Sequence, residues 1–205
     1  MKKTLFPLLL IFPCCLFAQI GIKAGANFAN VSRASSVNNS SHTGFNLGLF
    51  LAPPSKTIIS SRTELLFSRQ GYDYKTSTNT GTVNLDYVMM PQLMSINITK
   101  YISVLVGAQA AFLINAKVDS SSGGGGNGGY SKIMDMYNRF DYGYGGGVEV
   151  HPIKGLLIGA KVNISLGKLY KEAQSGQMPS FSSIDMKNNL FQLFAGWRFG
   201  KTNKK

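Results

Sequence analysis

The fold this sequence predicts is all-β: an eight-stranded, antiparallel, up-and-down transmembrane β-barrel. Three observations predict it. The chain opens on an apolar leader of secretory type. Eight strand-like segments follow, each long enough to cross a bilayer at a tilt, which takes about nine to eleven residues. The connections between them run long, short, long, short, long, short, long. A chain that crosses eight times, with tight turns on one side and long loops on the other, has this rhythm.

The leader is Met1, Lys2, Lys3, Thr4, then the apolar run Leu5 to Phe17, then Ala18 and Gln19. Two lysines, an apolar stretch and a small residue at the break predict a signal peptide over residues 1–18, cut after Ala18. The run is too short to span as a helix, and Pro7 and Pro13 interrupt it. Cys14 and Cys15 both lie inside it, so the mature chain is expected to carry no disulfide and no thiolate metal site. Acylation at one of these cysteines is the alternative. Phe12 and Pro13 argue against it, because that processing wants small residues there. The barrel domain is placed at 19–200 and a basic periplasmic tail at 201–205. The formal net charge of +12 falls to +10 once Lys2 and Lys3 leave with the leader.

The strands are read as Ile20–Asn30, Thr43–Ala52, Thr57–Tyr72, Val83–Ile98, Tyr101–Ala116, Arg139–Val150, Gly155–Leu169 and Lys187–Phe199. Their period is two. In the fifth, Ile102, Val104, Val106, Ala108, Ala110, Phe112 and Ile114 share a face opposite Ser103, Gly107, Gln109 and Asn115. The seventh sets Leu156, Ile158, Ala160, Val162, Ile164 and Leu166 against Lys161, Asn163 and Ser165. The eighth sets Phe191, Leu193, Ala195, Trp197 and Phe199 against Gln192, Gly196 and Arg198. An apolar exterior around a polar interior follows. The fourth strand fits poorly. Leu85, Tyr87 and Met89 share one parity and Ile96 and Ile98 the other, and a bulge at Pro91 is the expected remedy.

The short turns, Pro53–Lys56, Thr99–Lys100 and His151–Lys154, are assigned to the periplasm. The long loops, 31–42, 73–82, 117–138 and 170–186, are assigned to the exterior. The stretch Ser120–Ser131 is glycine-rich. It lacks the lysine–serine/threonine ending and the strand-to-helix setting of a phosphate loop, so it reads as a flexible external loop.

On the inward parity stand four basic residues, Lys23, Arg62, Lys161 and Arg198, and four acidic ones, Glu64, Asp86, Asp141 and Glu149. An eight-stranded barrel is only wide enough inside for side chains. The expectation is a salt-bridged polar plug, with Asn27, Asn46, Gln92, Gln109, Asn163 and Gln192 completing its hydrogen bonds. The functional alternative is a proton path, an ion path or a small-solute pore, kept open by the inward glycines Gly143, Gly145 and Gly147. The remaining positive charge sits in turns, tail and loops. Outer-membrane lipid head groups, lipopolysaccharide phosphates included, are its expected partners. Nucleic acid is not expected of an exported barrel. Tyr72, Tyr74, Tyr101, Tyr137, Phe140, Tyr142, Tyr170, Trp197 and Phe199 cluster near strand ends, as a membrane-interface girdle would. Ordinary strand propensity also favours aromatics.

Three segments carry a family resemblance: GIKAGANFANVS after a leader ending in AQ, NLDYVMMPQLMSINITKYISVLVGAQAAFLI, and NNLFQLFAGWRFG. They resemble the outer-membrane β-barrel domain family common in Bacteroidota, often labelled porin-family or PorT-type, over about Ile20 to Gly200. The family's usual acidic residue before the proline is replaced here by Val88, Met89 and Met90. The resemblance implies a small OmpA/OmpX-like barrel without a catalytic site. Its PorT-type members assist a protein secretion system.

Catalysis would need a serine with a histidine base in reach. His42 follows Ser41, but neighbours in a strand point to opposite faces, and the sequence shows no acid to orient His42. His151 sits in a periplasmic turn, and neither histidine shows zinc-ligand spacing. No enzyme activity, cofactor or metal is therefore expected. Three hypotheses stand: a structural or surface-interaction scaffold with a closed lumen, a subunit or assembly factor of a secretion system, and a narrow pore.

Overall fold

The computed structural model describes residues 19–32, 38–52, 58–75, 80–120, 137–170 and 187–199. The leader, the Pro53–Lys56 turn, residues 121–131 of the glycine-rich stretch and the tail 201–205 lie outside them. Eight strands form: β1 (Gln19–Ser32), β2 (Asn38–Ala52), β3 (Ile59–Lys75), β4 (Thr80–Asn97), β5 (Ile102–Ser120), β6 (Phe140–Val150), β7 (Leu156–Ser165) and β8 (Lys187–Arg198). Each pairs antiparallel with its sequence neighbour, and β1 pairs with β8, closing the barrel. Closure removes the open sheet edges whose backbone N–H and C=O groups would otherwise face lipid without partners.

Alternation decides which side chains face lipid. Along β8, Asn188, Leu190, Gln192, Phe194 and Gly196 are buried, while Phe191, Leu193, Ala195, Trp197 and Phe199 are exposed on the outside. Strand β7 divides as the sequence predicts, and so does β5 as far as Leu113; beyond it Ala116 is buried and Asn115, expected inside, stands on the outer side against Asp86. Strand β4 does not. Its odd positions point inward without interruption, so Leu85, Tyr87, Met89 and Leu93 are core, while Met90, Gln92, Met94 and Ile98 face out. No bulge lies at Pro91. It lacks an N–H, and the ladder skips Glu64 and Leu65 opposite it. The pairs on either side, Thr63↔Gln92 and Leu66↔Met89, keep one register. The bulge lies instead in β5. Tyr87 pairs with Leu113 and Asp86 with Asn115, leaving Ile114 as the extra residue.

The loops expected at 31–42 and 73–82 are largely strand. Lys75 pairs with both Asn38 and Thr80, and Ser32 pairs with Lys187. Pairing satisfies the backbone groups that an irregular loop would leave to water. Two short turns are tight. Thr99 Oγ1 accepts from the N–H groups of Tyr101 (3.1 Å) and Ile102 (3.0 Å). The β6–β7 turn ends on Gly155, whose φ of 92° favours glycine.

The interior holds two apolar clusters. Phe50, Ala52, Leu93, Leu105, Leu157 and Phe194 lie toward the short-turn end. The larger cluster, which includes Leu66, Leu85, Tyr87, Met89, Leu113 and Leu190, fills the other half. The polar groups described next lie between and beside them.

Candidate functional site

The charged side chains of the lumen come from strands far apart in sequence, each on the inward parity of its own strand. Arg62 of β3 and Glu149 of β6 form a two-pronged pair, with Nη1–Oε2 at 2.5 Å and Nη2–Oε1 at 2.7 Å. One step up β3, Glu64 accepts from Lys23 of β1 at 3.0 and 3.1 Å and from Lys161 of β7 at 3.1 Å. None of these five residues is more than 2% exposed. Three cations thus share two carboxylates. Ring faces take up part of the surplus: Lys23 Nζ lies 3.8 Å from the Phe194 centroid, and the Arg62 guanidinium lies 5.1 Å from that of Phe50. Breaking such a set is costly, because an uncompensated charge would remain in a nearly dry space.

His151 joins from the turn after β6. Its Nε2 lies 3.1 Å from Glu149 Oε1 and 3.2 Å from Ser103 Oγ. Burial holds the imidazole below the ordinary histidine range. Glu149 pulls the other way, and Arg198 and Arg62 add to the lowering. Both contacts use one ring nitrogen. A serine nucleophile needs the base held by an acid through one nitrogen and loaded by the serine through the other, so this trio does not have that form.

Above the charges lies an amide layer. Asn27 Nδ2 donates to Ser68 Oγ (2.9 Å) and to the backbone oxygens of Phe45 (2.9 Å) and Arg69 (2.8 Å). Its Oδ1 accepts from Asn46 (2.7 Å) and Gln192 (2.9 Å), and Gln192 in turn accepts from Asn163 (3.0 Å). Asn188 donates to Gln70 at 2.5 Å. At the far end three phenols meet. Tyr72 Oη is 2.6 Å from Tyr170 Oη, Tyr137 Oη is 3.4 Å from each, and the Tyr137 and Tyr170 rings stack at 4.9 Å.

Of the eight charges expected in one network, Lys23, Arg62, Glu64, Glu149 and Lys161 are joined by ion pairs. Three depart from the expectation. Asp86 stands on the outward parity yet is only 5% exposed, and its carboxylate accepts from Arg69 Nε (2.7 Å), Arg69 Nη2 (3.1 Å) and Asn115 (3.0 Å). Its parity on β4 is the outward one, since no bulge flips that strand. Asp141 points inward, but it accepts from the Ser165 hydroxyl, and among the described residues no cation pairs with it. Arg198 stands at the short-turn mouth near Glu149 and Arg62 without an ion pair of its own among the described residues. Gln92, expected inside, is outside. The inward glycines leave no free space at Gly145, where Asn163 Oδ1 occupies the position of a side chain.

The aromatic girdle is also revised. Tyr101, Trp197 and Phe199 at the short-turn end, and Phe140 and Tyr142 at the other, are exposed on the outer wall. Tyr72 and Tyr170 are not part of it. They are buried in the lumen with Tyr137, because their hydroxyls can partner one another there. Sequence reasoning missed the inward role of His151, although 149 and 151 share a parity. It also found no acid for His42, whereas Asp73 Oδ1 lies 3.2 Å from His42 Nδ1, a cross-strand contact between β2 and β3.

The family described as outer membrane protein beta-barrel domain matches residues 12–171. No curated protein matches the chain. Several solved structures are similar in fold. Ail, the attachment invasion locus protein of Yersinia pestis, is 18% identical over 89% of this chain and 99% of its own, with a TM-score of 0.49. OprG of Pseudomonas aeruginosa is 11% identical over 90% and 97%, with a TM-score of 0.47. Outer Membrane Protein W of E. coli is 15% identical over 89% and 98%, with a TM-score of 0.45.

Proposed function

This chain belongs to the outer membrane protein β-barrel domain family, and from that premise we propose that it serves the bacterial outer membrane as a non-enzymatic scaffold with a closed lumen, structural or surface-interacting in role. The observation that carries this reading is the cross-lumen ion set, Arg62 with Glu149 and Glu64 between Lys23 and Lys161. These side chains occupy the section that a pore would fill with water. An interior of eight strands has room for such side chains and little else. In this reading the short turns face the periplasm. The long connections β5–β6 and β7–β8 face outward and offer variable surface on a rigid wall. The partners are anionic lipid head groups and lipopolysaccharide phosphates, met by exposed cations near the rims. Planar-bilayer recording tests the closed lumen. The expected trace has no unitary steps above background, and reproducible steps would replace this reading with the narrow pore.

The basic short turns favour a second reading. Lys100 and Lys154 are exposed at that end, and the turns carrying them contain no acidic residue. A PorT-like secretion subunit would use such a surface to bind an acidic envelope partner. Crosslinked pull-down of the mature protein from native outer membranes separates the two. A stoichiometric protein partner attached through Lys100 or Lys154 favours the secretion role. Recovery of the barrel with lipopolysaccharide alone favours the stand-alone scaffold.

A further inference from the structure

The outer wall is apolar along most of β5, β7 and β8, but along β3 and β4 polar side chains stand among the apolar ones. There Ser61, Thr63 and Gln92 face out. Gln92 stands five residues from Asn97, the short-turn end of β4. At about 3.3 Å per residue and a tilt of about 40°, that places it about 13 Å inside the rim, near the middle of an apolar band about 25 Å tall. Thr63 Oγ1 donates to Gln92 Oε1 at 2.6 Å. Among the described residues no acceptor meets the two N–H donors of the Gln92 amide. Lipid tails offer none, and a bare donor in hydrocarbon is costly. Beside the amide lies a groove of about 520 Å³ lined by Ile59, Ser61, Gln92, Met94, Val106 and Gly107. Its floor is low where the exposed Ser61 carries only a short side chain, which lets another surface approach closely.

We infer that this β3–β5 wall is where a second copy of the chain packs in the plane of the membrane, with the two Gln92 carboxamides hydrogen-bonded to each other across a two-fold axis. The chemistry of the group selects this occupant. A carboxamide carries both donors and an acceptor, so a patch centred on one is complementary to itself. An isologous contact requires that property. A two-fold axis along the membrane normal keeps both Gln92 residues at one depth, as two copies inserted in the same direction would be. Thr63 holds Oε1 and thereby turns the free N–H groups outward.

The test uses mature protein reconstituted in phosphatidylcholine vesicles, with energy transfer between donor- and acceptor-labelled copies measured across protein-to-lipid ratios. The wild type is expected to dimerise. Gln92→Leu is expected to weaken association at least tenfold while keeping the heat-modifiable gel mobility of a folded barrel. Ser61→Phe, which fills the groove without touching the amide, is expected to weaken it as well. Met94→Cys is expected to crosslink to itself in native membranes. A wild type that stays monomeric at every ratio overturns the inference. So does a Gln92→Leu barrel that associates like wild type, or a Met94→Cys barrel that crosslinks only to a different protein or not at all.

Discussion

In the short-turn half of the lumen, Lys23, Arg62, Glu64, Glu149 and Lys161 join β1, β3, β6 and β7 through ion pairs. In the other half, Leu85, Tyr87, Met89, Leu113 and Leu190 form the larger apolar cluster, with the buried Asn188–Gln70 pair beside it and three tyrosines closing it. A small barrel therefore requires that its interior be filled, and either chemistry can fill it. The halves differ in what they specify. Apolar packing tolerates rearrangement that conserves volume. Paired buried charges do not, since each must meet its own partner or stay uncompensated. The charged half thus ties strands distant in sequence to one register, and the apolar half supplies bulk burial.

The strongest way to break this contrast is at Glu64. Glu64→Ala leaves Lys23 and Lys161 buried without their shared acceptor and is expected to cost about 3–5 kcal/mol, measured by urea unfolding in micelles. It should open no conductance in a planar bilayer, because Arg62, Glu149 and the flanking aromatics still fill the section. Unchanged unfolding would show that the ion set does not hold the wall together. Next comes Leu85→Ala in the apolar half, expected to cost about 2–4 kcal/mol through lost burial and a cavity. A loss equal to that of Glu64→Ala would erase the distinction between the halves, and rescue by Leu85→Met but not by Leu85→Asn would sharpen it.

The smallest effect is at His151, at the mouth of the charged half. Burial keeps its folded pKa below the ordinary value of about 6.5. The neutral ring therefore contributes stability above about pH 6.5, and that contribution is lost as pH falls through the lower folded value. Unfolding measured from pH 7.5 down to pH 5 should steepen for wild type relative to His151→Gln. Parallel curves would mean that the ring is as free to protonate folded as unfolded.

Strand number, order and closure were legible in the sequence, because apolar alternation and chain reversals are local signals. So was the facing of β7, β8 and β5 up to its bulge at Ile114, where one parity is apolar and the other carries Gln109, Lys161, Asn163 and Gln192. In β4 both parities are apolar, Leu85, Tyr87 and Met89 on one and Met90, Met94 and Ile96 on the other. Period two defines two faces there without saying which is inside, so the misplacement of Asp86 and Gln92 followed from one ambiguity. Tyr72 and Tyr170 lay beyond reach for a related reason: an aromatic near a strand end suits the interface or the lumen equally. The sequence by itself determined the architecture, the membrane and most of the charged residues that go inside. Only the tertiary structure decided which carboxylate meets which cation, that three cations share two acids, that a large apolar cluster fills the lumen beyond them, and that the Gln92 amide faces out. Those outcomes depend on contacts between strands as far apart as Glu64 and Lys161. Alternation along one strand carries no information about what stands across the barrel.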